Sequence, residues 1–197
     1  MQSKVSLNKT EKKRRIEEAA INLFEHDDFN KISIDQIVKK ARVAKGTFYL
    51  YFKDKVQLTN HLIIKYSSLL IDEALEKAKE ANIDDRVEEL IFLIDYVVEF
   101  FKKNPARIKV IQKNLSWSLI SDKLKDSDTY EVSNHLECYS DFLVSLGYTK
   151  DEAFQLIFMI IELVSTLCYS SIVLKQPDDI DHVKPLLYDT IRKMIQR

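Results

Sequence analysis

"SIDQIVKKARVAKGTFYLYFKDK", residues 33–55, decides how the rest of the chain is read. It opens with a capping box: the Ser33 hydroxyl can accept from the amide of Gln36, and Gln36 can reach back to the amide of Ser33. Ile34, Ile37, Val38 and Ala41 then follow at helical spacing and give one apolar stripe. "ARVAKG" interrupts that pattern. A short second helix over about 44–51 resumes it, with Phe48 and Phe52 four residues apart on one side and Lys45, Thr47 and Tyr51 mostly on the other. Asp54, with Gln57 three residues on, caps the helix that comes next. Gly46 is one of only two glycines in 197 residues. A glycine in a helix costs roughly 1 kcal/mol relative to alanine, so its position in a first turn suggests that something must come close to that backbone.

Working outward, residues 10–25 predict a supporting helix. Thr10 is its cap, "KKRR" (12–15) fills its first turns, and Ile16, Ala20, Leu23 and Phe24 form its apolar face. Phe29 and Ile32 precede residue 33 as a hydrophobic staple. A supporting helix followed by two short helices across a tight turn is the layout of a helix-turn-helix. Charge agrees with it. Residues 1–55 carry 13 Lys/Arg against 8 Asp/Glu, whereas residues 56–197 carry 17 against 23, so the overall charge of −1 hides a basic head on an acidic body. A basic head suits contact with nucleic acid, although a solvated charged face that binds nothing has the same composition.

The remainder reads as helix throughout. Two Gly and three Pro are too few to turn many short strands. The expected fold is all-α: a three-helix head over 1–55 and a helical body over 56–197. A long helix of about 55–81 has an apolar side of Val56, Leu62, Ile63, Tyr66, Leu70, Ala74 and Leu75, and its far half, "DEALEKAKEA", reads as charged and solvated. Asp85 caps the next helix, and Asn104–Pro105 stops one and starts another. A helix over about 129–146 ends at Gly147, and "TKDE" (149–152) is a second capping box. Pro185 falls within the final helical stretch and suggests that the last helix starts there.

"AFQLIFMIIELVSTLCYSSIVL", residues 153–174, is long enough to cross a bilayer. Its single charge, Glu162, its scattered Gln, Ser and Thr, and the lack of a basic flank favour burial in protein over a membrane. The N-terminal "MQSKVSLNKTEKKRRIEEA" is basic without an apolar core, unlike a secretory signal. Cys138 and Cys168 lie in apolar helical stretches with no CxxC, so both are expected as buried free thiols in a reducing compartment, the cytoplasm. No phosphate loop, HExxH or GxSxG is present, and the four histidines share no spacing. No catalytic residue, metal site or cofactor is assigned, and an enzyme is not expected.

Residues 10–60 resemble the DNA-binding head of TetR-type regulators. The likeness is carried by Ala20, Leu23, Phe24, Phe29, Ile32, Ile37, Ala41, Val43, Lys45, Gly46, Thr47, Tyr49, Tyr51, Phe52, Lys55 and Leu58. It covers about a quarter of the chain; the rest is similar in layout only. The resemblance implies a homodimer on palindromic double-stranded DNA, phosphate contacts at Ser33, Tyr49, Tyr51 and Lys55, and base contacts at Lys45 and Thr47. Read from the residues alone, Tyr49 is either a phosphate contact or core, and Lys55 either a phosphate contact or solvated. Leu50 is either a thymine-methyl contact or an idle surface leucine. One departure stands out: the turn position that the family usually fills with glycine holds Arg42, where a left-handed side chain costs roughly 1 kcal/mol and a charge near a phosphate is the expected reason for keeping it.

The resemblance also implies a dimer through helices 129–146 and 153–174, and a small-molecule pocket in the body whose filling releases DNA. Tyr96, Phe100, Trp117, Tyr139, Phe142, Met159 and Glu162 are the candidate lining, and their aromatic and aliphatic content favours a lipophilic or aromatic effector. Aromatics at helical spacing are equally what a plain core contains. The competing function is a helical protein of the same fold that acts through protein contacts and does not read DNA.

Overall fold

A computed structural model of the chain describes residues 4–27, 31–114 and 132–196. Among them there are helices and connecting turns and no strand. The elements are α1 (Lys4–His26), α2 (Ile34–Ala41), α3 (Lys45–Tyr49), α4 (Lys55–Glu80), α5 (Arg86–Lys103), α6 (Pro105–Asn114), α7 (Val132–Ser145), α8 (Lys150–Cys168), a π-helical turn (Tyr169–Leu174) and α9 (Ile180–Ile195). The chain divides into two compact units, Met1–Ile63 and Ile64–Arg197. The division falls inside α4, eight residues beyond the boundary that composition suggests, because Leu58, Thr59 and Leu62 of its first turns are buried with the first unit.

In the first unit α1 packs on α2 and α3. Ile16, Ala20, Ile37, Ala41, Phe48, Phe52 and Leu58 are its buried core. The start of α1 differs from expectation: the helix begins at Lys4, so Thr10 lies inside it and is not its cap. Residues 4–9 include neither Gly nor Pro, and nothing there stops the helix from extending. Phe29, the expected staple residue, lies outside the described residues. Val56, expected on the apolar side of α4, is 57% exposed, because the inward stripe is set by Leu58 and Leu62.

The second unit is organised around one core. Val98 of α5, Ile108 of α6, Leu143 of α7, Ala153, Leu156, Ile160 and Cys168 of α8, and Ile180, Leu187, Ile191 and Ile195 of α9 are buried together. The far half of α4 is not solvated on every side: Ala74 and Ala78, one turn apart, are completely buried, while Glu73, Glu76, Lys77 and Glu80 face solvent. The caps expected at Asp85 and Thr149 form. Asp85 accepts from the amides of Val87 and Glu88, and Thr149 and Glu152 form the reciprocal box. Gly147 closes α7 with φ +97°.

Two expectations fail here. Cys138 is exposed; only Cys168 is buried, and burial raises its thiol to about 12. Cys138 falls on the outer face of α7, opposite the stripe that carries Ser140 and Leu143 inward. The last helix also begins five residues before Pro185, at Ile180, with Asp179 as its cap. An interior proline forfeits a hydrogen bond and crowds the preceding turn. Here the flanking residues hold the helix in place. The Lys184 ammonium lies 2.5 Å from Asp95 and 2.6 Å from Glu99, Tyr188 donates to Asp95 at 2.6 Å, and Arg192 pairs with both oxygens of Glu88 at 2.7 and 2.8 Å. The hydrogen bond from Lys184 holds the Glu99 carboxyl below the usual range.

The stretch Lys150–Leu174 is long and apolar enough to cross a membrane by length and composition. In the folded unit one side of it is core: Ala153, Leu156, Ile160, Val164 and Cys168 are buried. The α-helix ends at Cys168 and a π-turn continues to Leu174, where left-handed Lys175 (φ 57°) terminates it.

Candidate nucleic-acid interface

The site is built on the turn between α2 and α3. The Ser33 box forms as the spacing requires: the Gln36 amide donates to Ser33 Oγ at 3.2 Å, and the Ser33 amide donates to Gln36 Oε1 at 2.7 Å. At the other end of α2, Arg42 is left-handed, with φ 54° and ψ 48°. The Arg42 amide donates to Lys39 and the Val43 amide to Val38, which is a Schellman closure made without glycine. Arg15 of α1 donates to the Arg42 carbonyl at 2.7 Å, which fixes the turn against the supporting helix.

α3 follows at once and its residues separate by face. Phe48 is fully buried, edge-on to Tyr49 at 5.5 Å and tilted against Phe52 at 5.8 Å between ring centroids. On the outer side Arg42, Lys45, Gly46, Tyr49 and Leu50 are exposed and Thr47 is half-buried. Tyr49 is 51% exposed, so it is not core, and Leu50 at 74% is an outward leucine on the same face. A methyl group added to Gly46 would meet nothing within 4 Å. The head itself therefore places no steric demand on that glycine.

Besides Ser33 in its capping box, three of the expected contact residues are engaged within the head. The Lys45 ammonium lies 2.8 Å from Asp35 Oδ1, and that hydrogen bond holds it above the usual lysine range. Tyr51 donates its hydroxyl proton to the Lys9 carbonyl at 2.8 Å, so a phosphate bond from Tyr51 requires that link to open. Lys55 donates to the Ile32 carbonyl at 2.9 Å.

Sequence reasoning missed the groups that hold this surface. Behind it Glu17 is buried, its Oε1 2.8 Å from His61 Nε2, and the His61 ring lies 5.4 Å from that of Phe52. Asp35, Arg15, Glu17 and His61 meet only through tertiary packing across 10 to 44 residues, and no local spacing signals them.

In the second unit the expected pocket residues lie on α5, α7 and α8. Tyr139 donates to Glu89 at 3.1 Å and its phenol is raised, chiefly by burial. Tyr96 is hydrogen-bonded to Glu73, and Arg107 lies 5.3 Å from the centroid of Phe100. Phe142 packs on the core, Glu162 is half-buried, and Met159 is 50% exposed. Trp117 lies outside the described residues. No group of three or more metal-ligating side chains occurs among the described residues.

A three-helix head whose two short helices cross a tight turn over a phenylalanine core has the layout of a helix-turn-helix. Comparison with known proteins is specific. Residues 16–62 match the model of bacterial regulatory proteins of the tetR family. An HTH-type transcriptional regulator of Staphylococcus aureus (strain USA300) is 29% identical over 144 residues, which is 73% of this chain and 71% of that one. The fatty acid degradation regulator FadR from Bacillus halodurans shares the fold at TM-score 0.63 and 19% identity, over 91% of this chain and 94% of that chain. A Bacillus subtilis FadR, solved in complex with stearoyl-CoA, superposes at TM-score 0.60 and 18% identity, over 90% and 96% of the two chains. Residues 16–62 thus match the helix-turn-helix of the tetR family, and the chain as a whole is similar in fold to TetR-family regulators of known structure.

Proposed function

We propose that this regulator is a cytoplasmic repressor that binds a palindromic operator as a homodimer and lets go when a small lipophilic effector fills its body. The observation that carries the DNA-binding part is the exposed face of α3, with Lys45, Gly46 and Leu50 turned outward over a buried Phe48. Lys45 donates to guanine or phosphate, and Thr47 bonds a base edge or touches a thymine methyl. Ser33, Tyr49 and Lys55 flank them toward phosphates, with Lys55 in the first turn of α4, where unpaired amides favour an anion. Tyr51 joins this set only on releasing Lys9.

Gly46 tests the close approach. Because a methyl group there meets nothing in the head, Gly46→Ala is expected to leave stability unchanged or raise it by up to about 1 kcal/mol. DNA affinity should fall by about tenfold or more, equivalent to about 1.4 kcal/mol. Thermal unfolding and fluorescence anisotropy on one preparation measure both; unchanged affinity would place Gly46 off the DNA.

Arg42 tests the turn. Arg42→Gly relieves a left-handed side chain and is expected to stabilise the head by about 1 kcal/mol. It removes an exposed cation, and DNA binding should weaken at low salt. A gain in both stability and affinity would show that Arg42 has no role on DNA.

Dimerisation through α7 and α8 is supported by the apolar groups they leave outside the core, Val144 on α7 and Met159 on α8. Two-fold symmetry would set the recognition helices one DNA turn, ~34 Å, apart. For the effector, the support is the aromatic and aliphatic character of the candidate lining, together with a structural relative that holds stearoyl-CoA. Titration of a DNA complex with long-chain acyl-CoA, followed by anisotropy, tests the effector class: release supports it, and full retention at saturating ligand rejects it.

A further inference from the structure

Lys45 opens the recognition helix, yet its ammonium is held across the turn by Asp35, the second residue of α2, at 2.8 and 3.1 Å from the two carboxylate oxygens. Both side chains remain more than half exposed, at 53% and 68%. A pair so exposed contributes little to folding. An acid in the first turn of α2 favours the helix dipole, but that role needs no lysine. What the pair changes is the condition in which Lys45 meets DNA.

A free lysine is a mobile point charge that any phosphate attracts, and phosphates are the same on every sequence. An ammonium already facing a carboxylate is drawn to them less. Its stem is also ordered at the N-terminal end of α3, where base edges are read. A carboxylate on the DNA-facing surface disfavours contacts that do not compensate it, which is how a repulsive element sharpens selectivity. We propose that Asp35 is a positioning and specificity-determining residue, which lowers binding to arbitrary DNA and reserves Lys45 for a base edge. The inference rests on the reading of α3 as the DNA-facing helix.

The test starts with the full-length protein selecting from a library of random palindromic duplexes. The best duplex and a shuffled duplex of the same composition are then titrated by anisotropy from about 50 to about 300 mM salt. Asp35→Asn is expected to bind the shuffled duplex about tenfold tighter, to change the selected duplex by less than about threefold, and to steepen the salt slope on shuffled DNA by about one. Asp35→Glu should restore the wild-type ratio. With Lys45→Ala already present, Asp35→Asn should change neither affinity by more than about twofold. Equal tightening on both duplexes, or the same change without Lys45, would reduce Asp35 to a plain surface charge and overturn the proposal. Equal loss on both duplexes with a lowered melting temperature would make it a helix-end residue only, and overturn it too. If the wild-type protein selects no duplex and binds neither, the underlying reading of α3 fails, a result distinct from the others because it does not involve Asp35.

Discussion

Phe48→Ala is expected to unfold the head. The Phe48 ring is fully buried, sits between Tyr49 and Phe52, and belongs to a five-residue helix with no side-chain cap at its start. A helix that short has no stability of its own; it exists because Phe48, and Phe52 just beyond its end, are pulled into a core with Ile16, Ile37 and Leu58. Phe→Ala in a well-packed core costs about 3–5 kcal/mol, and a small domain has only about 5–15 kcal/mol in total. Hydrogen exchange on the full chain should show lost protection concentrated in residues 1–63, with DNA binding abolished. Protection within about 1 kcal/mol of wild type would mean that the ring is not the anchor of α3.

His61→Ala is the second large effect. Glu17 is 3% exposed, and His61 supplies a hydrogen-bonding partner at 2.8 Å; Lys13 is farther away, at 3.9 Å. Removing one partner of a buried hydrogen bond costs about 1–3 kcal/mol, and more when the group left behind is charged. The variant also loses the ring that packs on Phe52. Combining it with Glu17→Gln should cost less than the two single changes together, since both lose the same hydrogen bond. Urea unfolding of the two single variants and the double measures this as a cycle. If the double variant is as unstable as the sum of the singles, the pair is not coupled.

How much of this was legible in the sequence follows from the range of the interactions involved. Capping boxes at Ser33 and Thr149, the Asp85 cap and the Gly147 stop are local, and the residues that make them stand three apart or alone in the text. The core and surface faces of α3 were legible for the same reason, since Phe48 and Phe52 are one turn apart. The start of α1 was not, because a cap residue such as Thr10 is also tolerated inside a helix when nothing upstream breaks it. Pro185 misled for the opposite reason: a local rule against interior proline was overridden by tertiary ion pairs from α5 to α9. The exposure of Cys138 depends on the rotation of α7 about its axis, which an apolar stretch alone does not fix. Asp35 stands in the first turn of α2, and its partner is ten residues away across a turn, beyond any local spacing.

The central claim is that the outward face of α3 binds double-stranded DNA and reads its sequence. Binding of the full-length protein to a duplex selected from a palindromic library, titrated with salt beside a shuffled duplex, tests it most directly. The account predicts that log affinity falls linearly with log salt with a slope steeper than about −4, as several phosphate contacts require. It also predicts that the selected duplex binds about a thousandfold tighter than the shuffled one near physiological salt. No binding to any duplex at about 50 mM salt, or equal binding to both at every salt concentration, would contradict it.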